Sequence, residues 1–134
     1  MMVIGIGNDW RSDDGAGLEV ARRLGGLALP GEPIGLVDAL DGGHDVTIVD
    51  AVLSGAAPGT VHEFEAGLEP LPVALFGSSS THALGLAEAI EIARSLGRLP
   101  SRVRVLGIEG IRFGYGRGLS PEVEKAVEEC TRSI

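Results

Sequence analysis

Three places in the sequence put side chains capable of chemistry next to a predicted strand or helix. Asp14 follows a glycine-containing loop after the first apolar run, and Asp50 ends a β-branched run. His82 follows three serines at 78–80 and precedes an apolar helical pattern. Two carboxylates and one imidazole suit a first-row divalent metal and leave coordination positions open. Asp14, Asp50 and His82 are therefore candidate metal ligands.

Each of these residues also has a purely structural interpretation. Asp13 and Asp14 stand at a predicted helix start, where the helix dipole favours acidic residues. His82 would share a helical face with Leu86, and such a histidine is more often a hydrogen-bonded core residue than a ligand. Asp50 is harder to explain in this way, because burying a carboxylate is costly without a partner. Spacing alone leaves both interpretations open.

Two other kinds of site were weighed from the same segments. The serines at 78–80, His82 and Asp50 include the residue types of a serine hydrolase, but the sequence has no Gly-x-Ser-x-Gly elbow. The glycines at 5 and 7 begin a dinucleotide-binding pattern, but Trp10 stands where the third glycine would be. The serine hydrolase stays an alternative, and dinucleotide binding is set aside.

Alternating strand and helix patterns determine where these side chains should meet. Period-2 or continuous apolar runs predict strands at 2–6, 45–51 and 102–108, and an edge strand at 60–65 as the hairpin partner of the 45–51 strand. Period-3.6 patterns predict helices at 17–24, 33–40 and 81–96, and a terminal helix opening at Ser120-Pro121. This order predicts an α/β three-layer sandwich, with a mostly parallel twisted sheet and helices on both faces. Ligands bind such sheets beyond the carboxyl ends of the strands, so Asp14, Asp50 and His82 should share one rim.

Composition limits the functional classes further. The 134 residues suit one domain, 1–134, and 44% hydrophobic with 22% charged residues is ordinary globular composition. Eleven basic against nineteen acidic side chains give a net charge of −8, which disfavours a nucleic-acid partner. Cys130, the single cysteine, lies on an apolar helical stripe and is expected to be packing rather than a nucleophile. The apolar start is too short for a signal peptide or membrane span, so we expect a cytoplasmic protein without a membrane partner.

Four segments, in this order, resemble a known family. The first combines GIGN (5–8) with DDGAG (13–17), and the second is VDAV (49–52). The third is STHALGL (80–86), and the fourth is VLGIE (105–109) followed by GLSP (118–121). In these segments the chain is similar to the hydrogenase maturation endopeptidases, which remove a C-terminal extension from the large subunit of nickel-iron hydrogenases. The resemblance spans nearly the whole chain and implies the family fold.

The resemblance also implies site residues, a metal and a partner. The family's three metal-contacting and catalytic positions fall on Asp14, Asp50 and His82, the first of which is often glutamate in relatives. The implied activity is that of a peptidase of aspartic type with metal-dependent recognition. It acts on a nickel-iron hydrogenase large-subunit precursor and recognises nickel already inserted there, and zinc or cadmium can take the place of nickel in vitro. A non-catalytic module that binds nickel or hydrogenase is the runner-up.

One segment departs from the family pattern. Relatives usually place a second strand between the first helix and the next one, but only residues 25–33 are available for it here. A strand alone usually takes about 5–6 residues. We therefore expect the second strand to be shortened or absent, with an edge of the sheet less protected than in relatives.

Overall fold

The computed structural model describes residues 1–41, 44–78 and 84–134. In this part of the chain the strands are β1 (Met2–Gly7), β2 (Leu27–Pro30), β3 (Val46–Val52), β4 (Val61–Glu65) and β5 (Val103–Glu109). The helices are α1 (Ala16–Arg23), α2 (Gly35–Ala39), α3 (Val73–Phe76), α4 (Leu86–Ser95) and α5 (Pro121–Ser133). A 3₁₀ turn, Ser12–Gly15, leads into α1. None of these described helices has the length and apolar character needed to cross a bilayer.

The described strands form one mostly parallel sheet, as predicted, in the order β2-β1-β3-β5-β4. Strand β4 is the exception, because it pairs with β5 in antiparallel orientation at one edge. The chain moves from β1 outward to β2 and then returns to place β3 on the other side of β1. The strand order therefore reverses between β1 and β3, and a crevice forms beyond their carboxyl ends.

Helices cover both faces of the sheet, which confirms the three-layer arrangement. Strand β3 shows why, since Ile48 and Val49 are both fully buried although they point to opposite faces. The apolar residues on the Ile48 side pack against α2 and α4, and those on the Val49 side pack against α1 and α5. A strand buried on both faces needs the continuous apolar run that the sequence shows at this position.

The second strand is present and short. Strand β2 has four residues and pairs with β1 in register from Ile4–Leu27 to Gly7–Pro30. The Gly31 N–H donates to the Gly7 carbonyl at 3.1 Å, which ends the pairing. Pro30 is compatible with this position because an edge strand has one side without ladder hydrogen bonds. The expectation of a shortened second strand at a sheet edge is confirmed.

Two helices differ from their predicted bounds, and one was not predicted. Helix α4 begins at Leu86 rather than at 81, because Gly85 has an extended backbone and its N–H donates to the Glu88 side chain at 2.8 Å. This hydrogen bond satisfies an amide at the helix start. Helix α2 covers only Gly35–Ala39 of the predicted 33–40. Helix α3 is a single turn after Pro72, too short for its periodicity to show in the sequence.

Candidate functional site

The β1–α1 loop turns back sharply to bring Asp14 to the end of the sheet. Gly7 ends β1 at a φ of 146°, a region that side chains rarely adopt. A Cβ on Gly7 would lie 2.0 Å from the Asp14 carbonyl oxygen, so only glycine allows this approach. The Asn8 N–H donates to the same carbonyl at 3.2 Å. The glycine and this hydrogen bond fix where Asp14 stands relative to β1.

Helix α1 packs against the strands backbone to backbone. A Cβ on Gly5 would lie 2.0 Å from the Gly17 carbonyl oxygen, and a Cβ on Gly17 would lie 2.2 Å from that of Val49. Two glycines, one on β1 and one on α1, therefore let the start of α1 sit directly over β1 and β3. This close packing places Asp14, just before α1, next to the end of β3 where Asp50 lies.

A cavity of about 310 Å³ opens beyond the ends of β1 and β3. Asp14 and Asp50 both line it, together with Arg11 and the ring of Phe113. Apolar residues from α3 and from the end of β3 form much of the remaining wall. A pocket at a switch point that combines apolar walls with convergent polar groups is a common form of a small active site. Further wall residues include Ile6, Gly31, Pro33, Val52, Leu75, Ser78 and Gly85.

Asp50 has an altered acidity in this cavity. Removal from water raises the pKa of Asp50 well above its ordinary value, and the negative charge of Asp14 raises it further. The Ala51 N–H donates to the Asp50 carboxylate at 2.8 Å and opposes the shift, but it does not cancel it. Asp14 is itself only 9% exposed. In a site partly removed from water, the negative charge of one carboxylate makes ionisation of the other less favourable. Such a pair is stabilised by a proton on one of the two groups or by a cation bound to both.

The neighbouring carboxylate of Asp13 lies in the opposite kind of environment. It is fully buried and accepts the N–H groups of Ile111 and Arg112 at 2.9 and 3.0 Å, and the N–H and hydroxyl of Ser120 at 2.7 and 2.9 Å. Burial alone would raise the pKa of Asp13, but these four donors hold it below its ordinary value. Asp13 thus ties the β5–α5 loop to the 3₁₀ turn.

A second buried carboxylate ends β5. Glu109 is fully buried and accepts hydrogen bonds from the Ser54 N–H and hydroxyl, and His62 Nε2 lies 3.0 Å from its Oε1. These donors outweigh burial and lower the pKa of Glu109. Since Ser54 and His62 each contact the carboxylate rather than each other, no serine–histidine pair is formed here. The cluster joins the end of β3, β4 and β5.

The structure brings two of the three candidate ligands together. Asp14 and Asp50 line one cavity, on the rim where the parallel strands end. His82 lies outside the described residues, although Ser78 and Gly85 on either side of segment 79–83 line the same cavity. Within the described part of the chain, no group of three or more His, Cys, Asp or Glu side chains is placed to hold a metal ion. The catalytic and metal-binding roles of Asp14, Asp50 and His82 stay predictions.

Sequence reasoning did not find the contributions of Arg11 and Phe113 to the cavity. They come from the β1–α1 loop and the β5–α5 loop, which pair through an isolated parallel bridge between Arg11 and Gly116. The two loops are about a hundred positions apart in the sequence, and neither has strand periodicity. A signal for Arg11 was its position in the acidic loop beside Asp13 and Asp14, where a lone cation is unusual.

Comparison with known proteins finds relatives that span the whole chain. The chain is 24% identical over 145 residues to the hydrogenase 2 maturation protease of Escherichia coli K12, covering all of this chain and 87% of that one. It is 28% identical over 155 residues to the hydrogenase expression/formation protein HupD of Rhodobacter capsulatus, covering all of this chain and 70% of the relative.

Solved structures show the same architecture. The hydrogenase maturating endopeptidase HybD of E. coli superposes with a TM-score of 0.75 at 22% identity, covering 98% of this chain and 86% of that one. The NiFe hydrogenase maturation protease HybD of Thermococcus kodakarensis gives a TM-score of 0.70 at 25% identity, over 98% and 93% of the two chains. The family model for hydrogenase maturation proteases, HycI, matches residues 31–134, well over half of the sequence. The chain therefore belongs to the hydrogenase maturation protease family.

Proposed function

We propose that this protein is an endopeptidase that removes the C-terminal extension of a nickel-iron hydrogenase large-subunit precursor after nickel insertion. The observation that carries the proposal is the convergence of Asp14 and Asp50, 36 positions apart, on one cavity beyond β1 and β3. Membership of the family supports peptidase activity in general. The substrate, the role of its nickel and the roles of individual residues are parts of the proposal.

The two carboxylates suit a cation that the precursor brings. Their charges oppose each other, as the raised pKa of Asp50 indicates, and a divalent ion between them would relieve that repulsion. His82 is the proposed third ligand, and both Ser78 and Gly85, which flank its segment, line the cavity. Three protein ligands without a thiolate leave positions open for groups of the substrate. The isolated protein should therefore bind nickel, zinc or cadmium weakly.

Hydrolysis of the peptide bond needs an activated water and a proton for the leaving amine. Nickel held by the precursor supplies Lewis acidity near the scissile bond. Both carboxylates must be ionised to bind the metal, and its positive charge would offset the burial and the Asp14 charge that raise the pKa of Asp50. A carboxylate oxygen that does not contact the metal can take a proton from the attacking water and pass that proton to the leaving amine. With a carboxylate as proton carrier and a metal on the precursor, the enzyme would be aspartic in type with metal-dependent recognition.

The test compares nickel-loaded and nickel-free precursor as substrates. C-terminal trimming is followed by intact-protein mass spectrometry with the wild type, with Asp14→Asn, with Asp50→Asn and with His82→Ala. Asp45→Asn is the matched control, because Asp45 is an exposed aspartate just before β3. We expect cleavage of the loaded precursor alone by the wild type and the control, and a loss of at least about 100-fold in each site variant.

Other outcomes distinguish the alternatives. Binding of nickel-loaded precursor without trimming would favour a non-catalytic nickel- or hydrogenase-binding module. Loss of cleavage in Ser78→Ala, with Asp14→Asn still active, would favour a serine hydrolase, since Ser78 also lines the cavity. Tight stoichiometric metal that survives a chelator in the purified protein would contradict recognition of a metal carried by the substrate.

A further inference from the structure

The single tryptophan and the single tyrosine of this chain lie together on the surface. Trp10 is 53% exposed and Tyr115 is 91% exposed. Their rings stack with centroids 6.4 Å apart and planes 15° from parallel. The core contains neither residue. Large exposed aromatic surface on a small protein marks an interaction site more often than it serves stability.

The backbone beneath these rings is fixed. The Gly116 N–H donates to the Trp10 carbonyl at 2.8 Å, and the Ser12 N–H donates to the Gly116 carbonyl at 2.9 Å. The Ser12 hydroxyl donates to the Gly114 carbonyl at 3.1 Å, and Ser12 is held at a φ of 53°, which is unfavourable for a residue with a side chain. The aromatic pair is thus presented by two loops joined to each other, so little ordering entropy is lost on binding.

The loop that carries Tyr115 also carries two exposed arginines. The Arg117 guanidinium lies 5.0 Å from the centroid of the Trp10 ring, and Arg112 is exposed on the same loop. In the described part of the chain no acidic side chain forms an ion pair with Arg11, Arg112 or Arg117. Other arginines do pair with acidic side chains, namely Arg22, Arg23, Arg94 and Arg104.

Arg22 is the main partner of Asp9, because it donates to both Asp9 oxygens at 2.8 and 2.7 Å, and Arg117 makes only a smaller contribution to the lowered pKa of Asp9. The other carboxylates of the β1–α1 loop, Asp13 and Asp14, are buried. Among the charged side chains of the two loops Arg112 and Arg117 are the exposed ones, so the surface beside the aromatic pair presents positive charge although the chain has a net charge of −8. We name Trp10, Tyr115, Arg112 and Arg117 the aromatic platform.

The aromatic platform adjoins the candidate active site. Arg11, next to Trp10, and Phe113, two residues before Tyr115, both line the cavity that contains Asp14. The platform and part of the cavity wall are therefore formed by the same two loops. Tryptophan, tyrosine and arginine are also the residue types that contribute most to protein–protein affinity.

We propose that the aromatic platform binds an acidic, extended segment of the precursor polypeptide next to the segment that enters the cavity. The identity of the polypeptide rests on the proposed function, whereas the acidic character of the segment follows from the platform itself. Guanidinium groups bind carboxylates in bidentate geometry, and the stacked rings provide a rigid apolar base for the neighbouring main chain. A nucleic acid fits less well, because it carries a negative charge at every nucleotide, whereas the exposed positive charge here is confined to Arg112 and Arg117 in a chain of net charge −8.

Two measurements test the platform. In the first, the single tryptophan is replaced by 5-fluorotryptophan, and the one ¹⁹F resonance of Trp10 is followed as unlabelled precursor is added. In the second, KM and kcat for cleavage are measured at several salt concentrations for the Arg112→Ala/Arg117→Ala double variant. The control is Arg102→Ala/Arg132→Ala, which removes the same charge from exposed arginines on other parts of the surface.

We expect the ¹⁹F resonance to shift on addition of precursor, and the platform variant to raise KM about tenfold with kcat within about twofold. Its KM should also depend less on salt than that of the wild type or the control. An unchanged KM together with an unshifted resonance would overturn the proposal. An equal rise of KM in the control variant would also overturn it. So would a resonance shift caused by single-stranded DNA and not by precursor. A resonance shift that depends on protein concentration alone would indicate that a second copy of this chain binds the platform, and would likewise overturn the proposal.

The same experiment separates this inference from the proposed function. Wild-type protein that shifts its ¹⁹F resonance with precursor but never trims it would retain the platform and refute the peptidase activity. Wild-type protein that trims precursor with no resonance shift and no KM effect in the platform variant would retain the activity and refute the platform.

Discussion

Replacing Asp13 with asparagine tests how far the loops around the cavity depend on one buried carboxylate. The side chain is fully buried and accepts four hydrogen bonds, from two backbone N–H groups of the β5–α5 loop and from the N–H and hydroxyl of Ser120. Asparagine has nearly the same shape but offers one acceptor oxygen and one NH₂ donor. The NH₂ group would face N–H donors, so hydrogen bonds are lost on that side.

The expected cost can be worked from these contacts. A hydrogen bond to a charged group contributes about 1.5–3 kcal/mol. With the NH₂ group at the Oδ1 position the Ser120 N–H loses its acceptor, and with the NH₂ group at the Oδ2 position the Ile111 and Arg112 N–H groups lose theirs. The remaining bonds are weakened because the acceptor is no longer charged, and part of the loss is offset because the variant no longer buries a charge. Each buried donor without an acceptor costs about 1–3 kcal/mol, and we expect about 3–4 kcal/mol in total. For a chain of this size that lowers Tm by roughly 10–20 °C.

Urea unfolding followed by circular dichroism at pH 7 measures the difference. Asp45→Asn is the control, because Asp45 is exposed and surface substitutions usually stay within about 0.5 kcal/mol. A change below about 1 kcal/mol in Asp13→Asn would refute the claim that this carboxylate organises the loops. A loss comparable to that of Asp45→Asn, together with loss of cleavage, would instead assign Asp13 to the reaction.

Three further predictions follow from the site and the core. Asp50→Asn should raise the free energy of unfolding at pH 7 by about 1–2 kcal/mol, by urea denaturation, since its burial and Asp14 disfavour the charged form. Glu109→Gln should flatten the pH dependence of stability in acid. The folded pKa of Glu109 is lowered, so its contribution is present above the unfolded pKa near ~4.3 and is lost as pH falls through the folded value. Cys130→Ser should keep full cleavage and cost about 1–2 kcal/mol, because a hydroxyl replaces a buried thiol in the α5 interface; lost cleavage in a folded variant would contradict it.

The sequence was sufficient to predict the layers of the fold because they depend on hydrophobic periodicity. Strands β3 and β5 are buried on both faces and therefore read as continuous apolar runs, while α5 opens at Pro121 as its Ser-Pro signature predicts. The meeting of Asp14 and Asp50 followed from the rule that parallel strands end on one rim. Helix α4 was predicted too long because the pairing of Gly85 with Glu88, a spacing typical of a helix start, was not weighed.

Contacts between distant segments that have no hydrophobic periodicity could not be predicted from the sequence. The bridge between Arg11 and Gly116 and the stacking of Trp10 on Tyr115 depend on two irregular loops whose relative position only the folded sheet determines. The buried contact of Glu109 with His62 likewise needs β4 to pair with β5 rather than with its sequence neighbour β3. The edge position predicted for β4 is confirmed, but its prediction as a hairpin partner of the preceding strand is wrong, because β4 pairs with β5.

Asp13 and Asp14 are adjacent in one turn, but their carboxylates have different surroundings. The pair lies in a 3₁₀ turn, in which successive side chains are rotated by about 120°, so adjacent residues of the same type face different surroundings. Asp13 faces four donors and is stabilised as an anion, whereas Asp14 faces the cavity and destabilises the anion of Asp50. Since the loop held by Asp13 also carries Phe113, the buried Asp13 carboxylate fixes part of the wall of the cavity that Asp14 and Asp50 line. Replacement by asparagine should therefore destabilise the fold at Asp13, whereas at Asp14 it should remove the negative charge that raises the pKa of Asp50.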